Sequence, residues 1–318
     1  MADIDIAMPC FNCAPWLDTF LKSLLSQEVT NWRLVARDDG STDGTASLLD
    51  VWKGRLGERM KLVQGSAGKN LGVVGNYNLV LADTSARWVM TADPDDVWLP
   101  GRLQRTLAAL KEAEDRLGEE MPLAVCTDAE VIDDSDKVVA PSYWRWARND
   151  PSRVKRIDQV AMESPALGST MAVNRALLDV ALPIDAAAPY QDWWLAMAAA
   201  AFGRIITLPD RTILYRRHGG NSTAIPMSSS LGGAIRRVLR SPDAPRQRLK
   251  RVLFGQAVPQ AAAFLIRYRD RLPSADSDTL EALARLPSRG PIRRRLDLVR
   301  HHLWFASTFK NIGMIVLC

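Results

Sequence analysis

Three carboxylates crowd the short segment Thr91-Ala92-Asp93-Pro94-Asp95-Asp96, directly after the apolar run Trp88-Val89-Met90. Like charges at this spacing repel, and a packed fold has no structural reason to gather them there. A divalent cation removes that cost, because hard ions such as Mg2+ or Mn2+ take oxygen ligands. A cation held this way can in turn hold a phosphate. No Gly-x-Gly-x-x-Gly follows the first apolar run and no Gly-Lys-Ser/Thr loop occurs, so phosphate has to be held by metal and not by a glycine cradle.

The elements that must position these acids read as an α/β sheet, because short apolar runs alternate with amphipathic helical patterns. Residues 4–8, 32–36, 61–63, 88–90 and 123–126 read as strands. Helices are predicted at 16–27, where Leu17, Phe20, Leu21, Leu24 and Leu25 keep helical spacing, and at 75–81 and 102–117. Beyond Pro141 the pattern loosens: 173–180 and 191–202 read as helix, 204–208 and 212–215 as strand. Ligands of an open α/β sheet bind at the carboxyl ends of its strands. The unusual residues recur there: Pro9-Cys10-Phe11-Asn12, then Asp38-Asp39-Gly40-Ser41, then Asp93–Asp96. Asp-Gly-Ser-Thr-Asp-Gly is also good turn and helix-cap chemistry. Turns alone, however, do not need so many acids on one sheet edge.

The 318 residues, 47% hydrophobic and 24% charged, fit an ordinary globular chain of one large or two smaller domains. Met1–Asp5 runs straight into a strand and no apolar run is long enough to span a bilayer, so a cytoplasmic location is expected. Cys10 and Cys13 have C-x-x-C spacing, but no second pair completes a zinc site, and they read as reduced thiols in a loop. Charge is unevenly placed. Residues 225–318 hold 17 Lys and Arg against 6 Asp and Glu, whereas the whole chain holds 41 against 36. A basic, mostly helical region 225–318 is therefore expected after a body of 1–224, set off by the Ser/Gly stretch 228–233. Arg236, Arg237, Arg240, Arg248, Lys250 and Arg251 interleave there with apolar residues, as do Arg293-Arg294-Arg295 further on. Such helices suit an anionic membrane surface, or pack on the body with a solvated charged face. No base-stacking or groove-reading module accompanies the charge, so nucleic acid is not an expected partner.

Met8-Pro9-x-Phe11-Asn12, Asp38-Asp39-Gly40-Ser41-Thr42-Asp43-Gly44-Thr45, Asn70-Leu71-Gly72 and Asp93-x-Asp95-Asp96 together resemble glycosyltransferase family 2, with its GT-A fold. The resemblance covers about residues 1–224. Gln191-Asp192-Trp193-Trp194-Leu195, Phe202-Gly203-Arg204-Ile205 and the run Tyr215–Asn221 look most like bacterial rhamnosyltransferases within that family. The resemblance implies an inverting, metal-dependent transferase that uses a dTDP- or UDP-linked sugar donor, with dTDP-rhamnose first; a catalytically silent nucleotide-binding scaffold is the alternative from another class. It implies a glycan or lipid-linked oligosaccharide acceptor at the inner membrane face, in polysaccharide synthesis. It assigns Pro9 and Asn12 to the donor site and Asp39 to the ring N–H of uracil or thymine. Asn70 and Asp93 go to the nucleoside, Asp95 to the Mg2+ or Mn2+ ion, and Asp96 to either the site or a helix cap. His218 is assigned to the metal site, Arg216 and Arg217 to a phosphate clamp, and Asp192 to the catalytic base. Gln191 departs from the acidic residue or His often found at its position. Trp193 and Trp194 stack on sugar faces or pack in the core.

Overall fold

The computed structural model describes residues 2–65, 70–149, 151–220, 244–305 and 308–317. Nine strands form one mixed sheet: β1 (Ile4–Cys10), β2 (Trp32–Asp38), β3 (Met60–Leu62), β4 (Trp88–Thr91), β5 (Val97–Trp98), β6 (Leu123–Asp133), β7 (Val138–Ala140), β8 (Met171–Asn174) and β9 (Arg204–Arg217). Their order is β3-β2-β1-β4-β8-β6-β9-β5, with β7 beside β6. The first four neighbours run parallel, while β8 enters antiparallel between β4 and β6. β1 is apolar along its length and buried on both faces, as a central parallel strand must be. Its one internal acid, Asp5, is satisfied by the Arg33 guanidinium at 2.8 and 2.9 Å and by the Ser85 and Ala86 amides.

The apolar faces of Ala14–Leu25 and Arg102–Leu117 bury Leu17, Phe20, Leu21, Leu24, Leu103 and Leu110 against the sheet, which fixes where both helices start. Four local features differ from the sequence reading. A helix at Thr45–Leu56, not expected from its pattern, follows the Asp-rich turn. The two-residue strand β5 is too short to carry a periodicity. Residues 204–208 and 212–215 are one strand, β9, which follows β6 across two register shifts. Residues 173 and 174 are strand and not helix, because they complete β8 against β4 and β6. The turn into β9 requires a residue without a side chain, since a Cβ on Gly203 would lie 1.8 Å from the Pro122 carbonyl oxygen.

Beyond the body, helices occupy Ala244–Val252, Val258–Tyr268, Ser274–Ala284, Pro291–Arg300 and Thr308–Leu317. The Ser/Gly stretch 228–233 and Arg236, Arg237 and Arg240 lie outside the described residues. The C-terminal helices share a core with the body. Phe264 is fully buried, edge-on to Trp194 with centroids 5.2 Å apart. Arg267 donates to the carbonyls of Leu182 and Pro183, and the Tyr268 hydroxyl donates to Val180 O at 2.8 Å. Because Phe264 bridges both parts of this core, Phe264→Ala is expected to cost about 3–5 kcal/mol. Denaturant unfolding should stay a single transition that moves to lower denaturant. A separate early transition for the C-terminal helices would show that they do not depend on the shared core.

Candidate active site

β4 delivers the acid cluster to the sheet edge, and the Thr91 hydroxyl pins its end by donating to Met171 O at 3.0 Å and to Gly168 O. The chain then turns and β5 pairs antiparallel with β9, Val97 opposite Leu214 and Trp98 opposite Ile213. This two-residue pairing aligns the acids with the end of β9. The Arg216 amide donates to Asp96 Oδ1 at 3.0 Å, and His218 Nε2 lies 2.9 Å from Asp95 Oδ2. Ligand oxygens of Asp93, Asp95 and Asp96 all lie within 4.8 Å of one another. The helix cap after the cluster is Gly101, so Asp96 faces the site and does not cap.

Burial pushes the Asp93 carboxyl up to about 7, and the neighbouring Asp95 charge adds to the rise. The Tyr77 hydroxyl, donating to Asp93 Oδ1 at 2.9 Å, and the Arg102 cation oppose it. Asp96 also rises well above the usual carboxylate range, for the same reasons of burial and crowding. Behind the acids sits Arg102, fully buried, over the Trp98 ring at 4.4 Å. It donates to the Thr212 hydroxyl at 2.7 Å and to Ser169 O at 2.6 Å. Burial lowers Arg102 to about 9, which still leaves it charged at neutral pH and facing Asp96 and Asp93. Among the described residues Asp96 Oδ2 is buried and makes no hydrogen bond of good geometry, although the Ser169 hydroxyl is near enough to favour its charged form. Three converging carboxylates, one with a buried oxygen short of a well-placed donor, suit a hard divalent cation. Asp95 and His218 would complete such a site on its more open side.

Asp192 lies in the first turn of the helix Gln191–Phe202, whose cap is Tyr190. Its Oδ1 accepts the Trp193 amide at 2.7 Å. Burial, and then the charge of Asp93, push its carboxyl up to about 7. Gly168 leaves room for this turn, since a Cβ there would meet Gln191 Nε2 at 2.6 Å. Gln191 Oε1 is buried with no hydrogen-bond partner among the described residues. Trp193 and Trp194 are both core residues, so the sugar-stacking reading is overturned. Both are buried, and their indole N–H groups donate to Val160 O at 2.5 Å and Ala181 O at 2.9 Å.

On the other side of β1, the first two loops are locked together. Asn12 adopts φ 48° and its Oδ1 accepts the Thr42 amide at 2.8 Å, while its own amide donates to the Ser41 hydroxyl at 2.8 Å. Asp38 and Asp43 do serve as turn and cap acceptors, for Gly40 and Ser41 and for Thr45 and Ala14. Asp39 does something else. It is buried in a 2.6 Å pair with Arg37, and it accepts the amides of Leu71 and Gly72 at 2.9 Å. Asn70, at the same turn, is exposed and holds Gly72 N through Oδ1 at 2.9 Å. Pro9 sits opposite Arg37 in the β1–β2 ladder. Arg216 donates to Asp95 O at 2.9 Å and to Asp136 at 2.6 Å, and Arg217 donates to the Tyr215 hydroxyl at 3.2 Å. Cys10 and Cys13 are buried free thiols, but Cys10 ends β1 and does not sit in a loop, while Cys13 precedes the first helix.

Four residues of this site escaped the sequence reading. Trp16 stacks on His218 at 4.1 Å between ring centroids. Tyr77, Arg102 and Arg37 each support one of the acids. Only Arg37 carried a signal, a cation at the end of an otherwise apolar strand beside two aspartates.

Residues 5–117 match the family model of glycosyl transferase family 2. Among curated relatives, EpsE of Bacillus subtilis is 31% identical over 109 residues, which are 34% of this chain and 38% of EpsE. WfgD of Escherichia coli, a UDP-Glc:alpha-D-GlcNAc-diphosphoundecaprenol beta-1,3-glucosyltransferase, is 29% identical over 108 residues, 34% of this chain and 40% of WfgD. The chain thus spans about two fifths of these relatives' length. Among solved structures, S. aureus TarS in complex with UDP-GlcNAc superposes with TM-score 0.54 at 17% identity, covering 94% of this chain and 80% of that one. The mannosyltransferase PcManGT from Pyrobaculum calidifontis, in complex with GDP-Man and Mn2+, gives 0.52 at 20% identity, covering 95% and 86%. These neighbours share the GT-A-like fold. The family match and the named relatives liken about a third of this chain, its N-terminal part, to glycosyltransferases.

If the acid cluster holds a cation, Mn2+ at a hundredfold excess over its Kd is expected to stabilise the protein by about 2.7 kcal/mol. Thermal unfolding at neutral pH measures this. Asp95→Asn and Asp96→Asn should abolish the shift, and an undiminished shift in either variant would move the ion elsewhere.

Proposed function

We propose that this chain is an inverting, metal-dependent transferase that moves a sugar from a nucleoside-diphosphate donor to a glycan or lipid-linked oligosaccharide. The observation that carries the reading is Asp192. It is a buried carboxyl within electrostatic reach of Asp93, poised near neutrality, on a helix that belongs to a different part of the sheet from the acid cluster. Inverting transfer needs a carboxylate that takes the proton from the attacking hydroxyl as the bond forms. A value near 7 suits that task, because a large share of the group is deprotonated at neutral pH and the carboxylate is far more basic than an ordinary one.

The donor reading divides the remaining residues. Asp39 accepts the ring N–H of uracil or thymine by taking over one of the two sites that the Leu71 amide now shares. Asn70 and Asp93 hold the nucleoside, with Pro9 and Asn12 shaping the wall beside it. Asp95 and His218 hold the cation, with Asp93 and Asp96 close by. When bound, that ion supplies charge neutralisation at the leaving diphosphate. Arg216 and Arg217 bring positive charge to the same side. Arg102 keeps the carboxylates ionisable from behind.

The first choice of donor is dTDP-rhamnose, on the resemblance of the segments around Asp192, Gly203 and His218 to bacterial rhamnosyltransferases. A UDP-hexose is the second reading, favoured by the donors named for TarS and WfgD. Asp39 cannot separate the two, since both bases offer the same ring N–H. WfgD's undecaprenol-linked acceptor supports a lipid-linked one here, in cell-surface polysaccharide synthesis. A panel of sugar nucleotides, assayed for metal-dependent hydrolysis and transfer, selects the donor, and no turnover of any of them would defeat the proposal.

Asp192→Asn should bind donor nucleotide as the parent does and lose at least about a hundredfold in transfer. Retained turnover would remove Asp192 from the chemistry. In the parent enzyme the transfer rate is expected to rise with pH through about 7 as the Asp192 carboxyl loses its proton. Below that pH the protonated acid cannot accept the hydroxyl proton, so a rate that falls across this window would contradict the assignment.

A further inference from the structure

The helix Pro291–Arg300 packs on its neighbours in the C-terminal region and buries one face. Leu298 is fully buried there, and Arg294 donates to Leu286 O at 2.8 Å beneath the Phe254 ring. Its opposite side carries Ile292, Leu296 and Val299, which are 74%, 62% and 54% exposed. Their i, i+4, i+7 spacing makes a continuous apolar stripe. Ile312 and Ile315 of the neighbouring helix Thr308–Leu317 are also exposed, and Arg295 ties the two helices by donating to Ile315 O at 3.0 Å. Exposed aliphatics usually scatter singly over a surface. Here they are contiguous.

Charge flanks the stripe on both sides. At 100° per residue, Arg293 and Arg300 fall along one edge and Arg295 along the other. All three are exposed, and no acidic side chain pairs with Arg293 or Arg300 among the described residues. The helix's one acid, Asp297, is only partly exposed and turned towards Arg289 at 3.4 Å. An apolar stripe between arginine rows is the arrangement of a helix that lies in a bilayer interface, apolar side in the acyl boundary and cations at the headgroups. No helix among the described residues is long and apolar enough to cross a membrane, so the contact would be interfacial.

We propose that the face built by Ile292, Leu296 and Val299, with Arg293, Arg295 and Arg300, docks this protein on an anionic lipid surface. A second copy of the chain suits the face less well, because a two-fold contact through this stripe would set its arginine rows against their own copies. The proposal rests on this surface alone and not on the donor or the transfer reaction.

Sedimentation of the full chain with phosphatidylcholine vesicles, with and without phosphatidylglycerol, tests it. The protein should bind the phosphatidylglycerol vesicles selectively and less well as salt is raised. The double variant Arg293→Gln with Arg300→Gln should weaken partitioning about thirty-fold. Ile292→Ser with Leu296→Ser should also lose binding. All four side chains are exposed, so far-ultraviolet circular dichroism and the unfolding midpoint should match the parent. Equal binding to both vesicle types, no binding to either, or parental binding by both variants would overturn the proposal. A concentration-dependent dimer in analytical ultracentrifugation that Leu296→Ser disperses would overturn it too, by assigning the face to a second copy.

Discussion

The mutual repulsion of Asp93, Asp95 and Asp96, held against a buried arginine, is the constraint around which this molecule is arranged. Carboxylates removed from water and set close together protonate unless positive charge compensates them. Arg102 supplies part of that compensation from inside the core, where it is itself lowered to about 9 by burial. Its cost is met by hydrogen bonds to Thr212 and Ser169 and by the Trp98 ring. Three converging carboxylates still outnumber the single arginine buried behind them. A cation, and the diphosphate it would carry, fit that remaining imbalance.

Several unremarkable parts of the fold serve this balance. β5 is two residues long, yet its pairing with β9 brings Arg216 and His218 to Asp96 and Asp95. Long β9 exists because Gly203 lets its first residue approach Pro122 and follow β6 from end to end. Trp16, at the start of the first helix, lies against the His218 ring and fixes its approach. The acid cluster is thus supported by the first helix, by Tyr77 on the third, and by the last strand of the sheet.

A second acid, Asp192, is raised to about 7 by the same physics in a different place. Apart from Gln191, its helix is otherwise apolar and packs through Trp194 on Phe264 of the C-terminal region. That contact links the basic C-terminal helices to the part of the molecule that positions the candidate base. It also explains why the two regions read so differently in composition and yet share one core. Phe264, Leu280 and Leu283 of these helices are buried in the same core as Trp194.

The residue order alone determined the α/β class, most of the strands of the first half, and the edge on which the unusual acids gather. Those features follow from local periodicity and from turn residues at strand ends, which are written in short windows of sequence. The sequence also placed Asp39, Asp93 and Asp95 at strand ends, and its resemblance to glycosyltransferase family 2 nominated Asp192 and His218. What the tertiary structure decided depends on contacts far apart in the chain. Arg102 reads as an ordinary first residue of an amphipathic helix, and only its depth behind Asp96 makes it a counter-charge. Trp193 and Trp194 look equally fit for a sugar or a core, and their indole partners Val160 and Ala181 place both in the core. Periodicity shows which residues share a face, but burial and pairing across more than a hundred residues decide what that face meets.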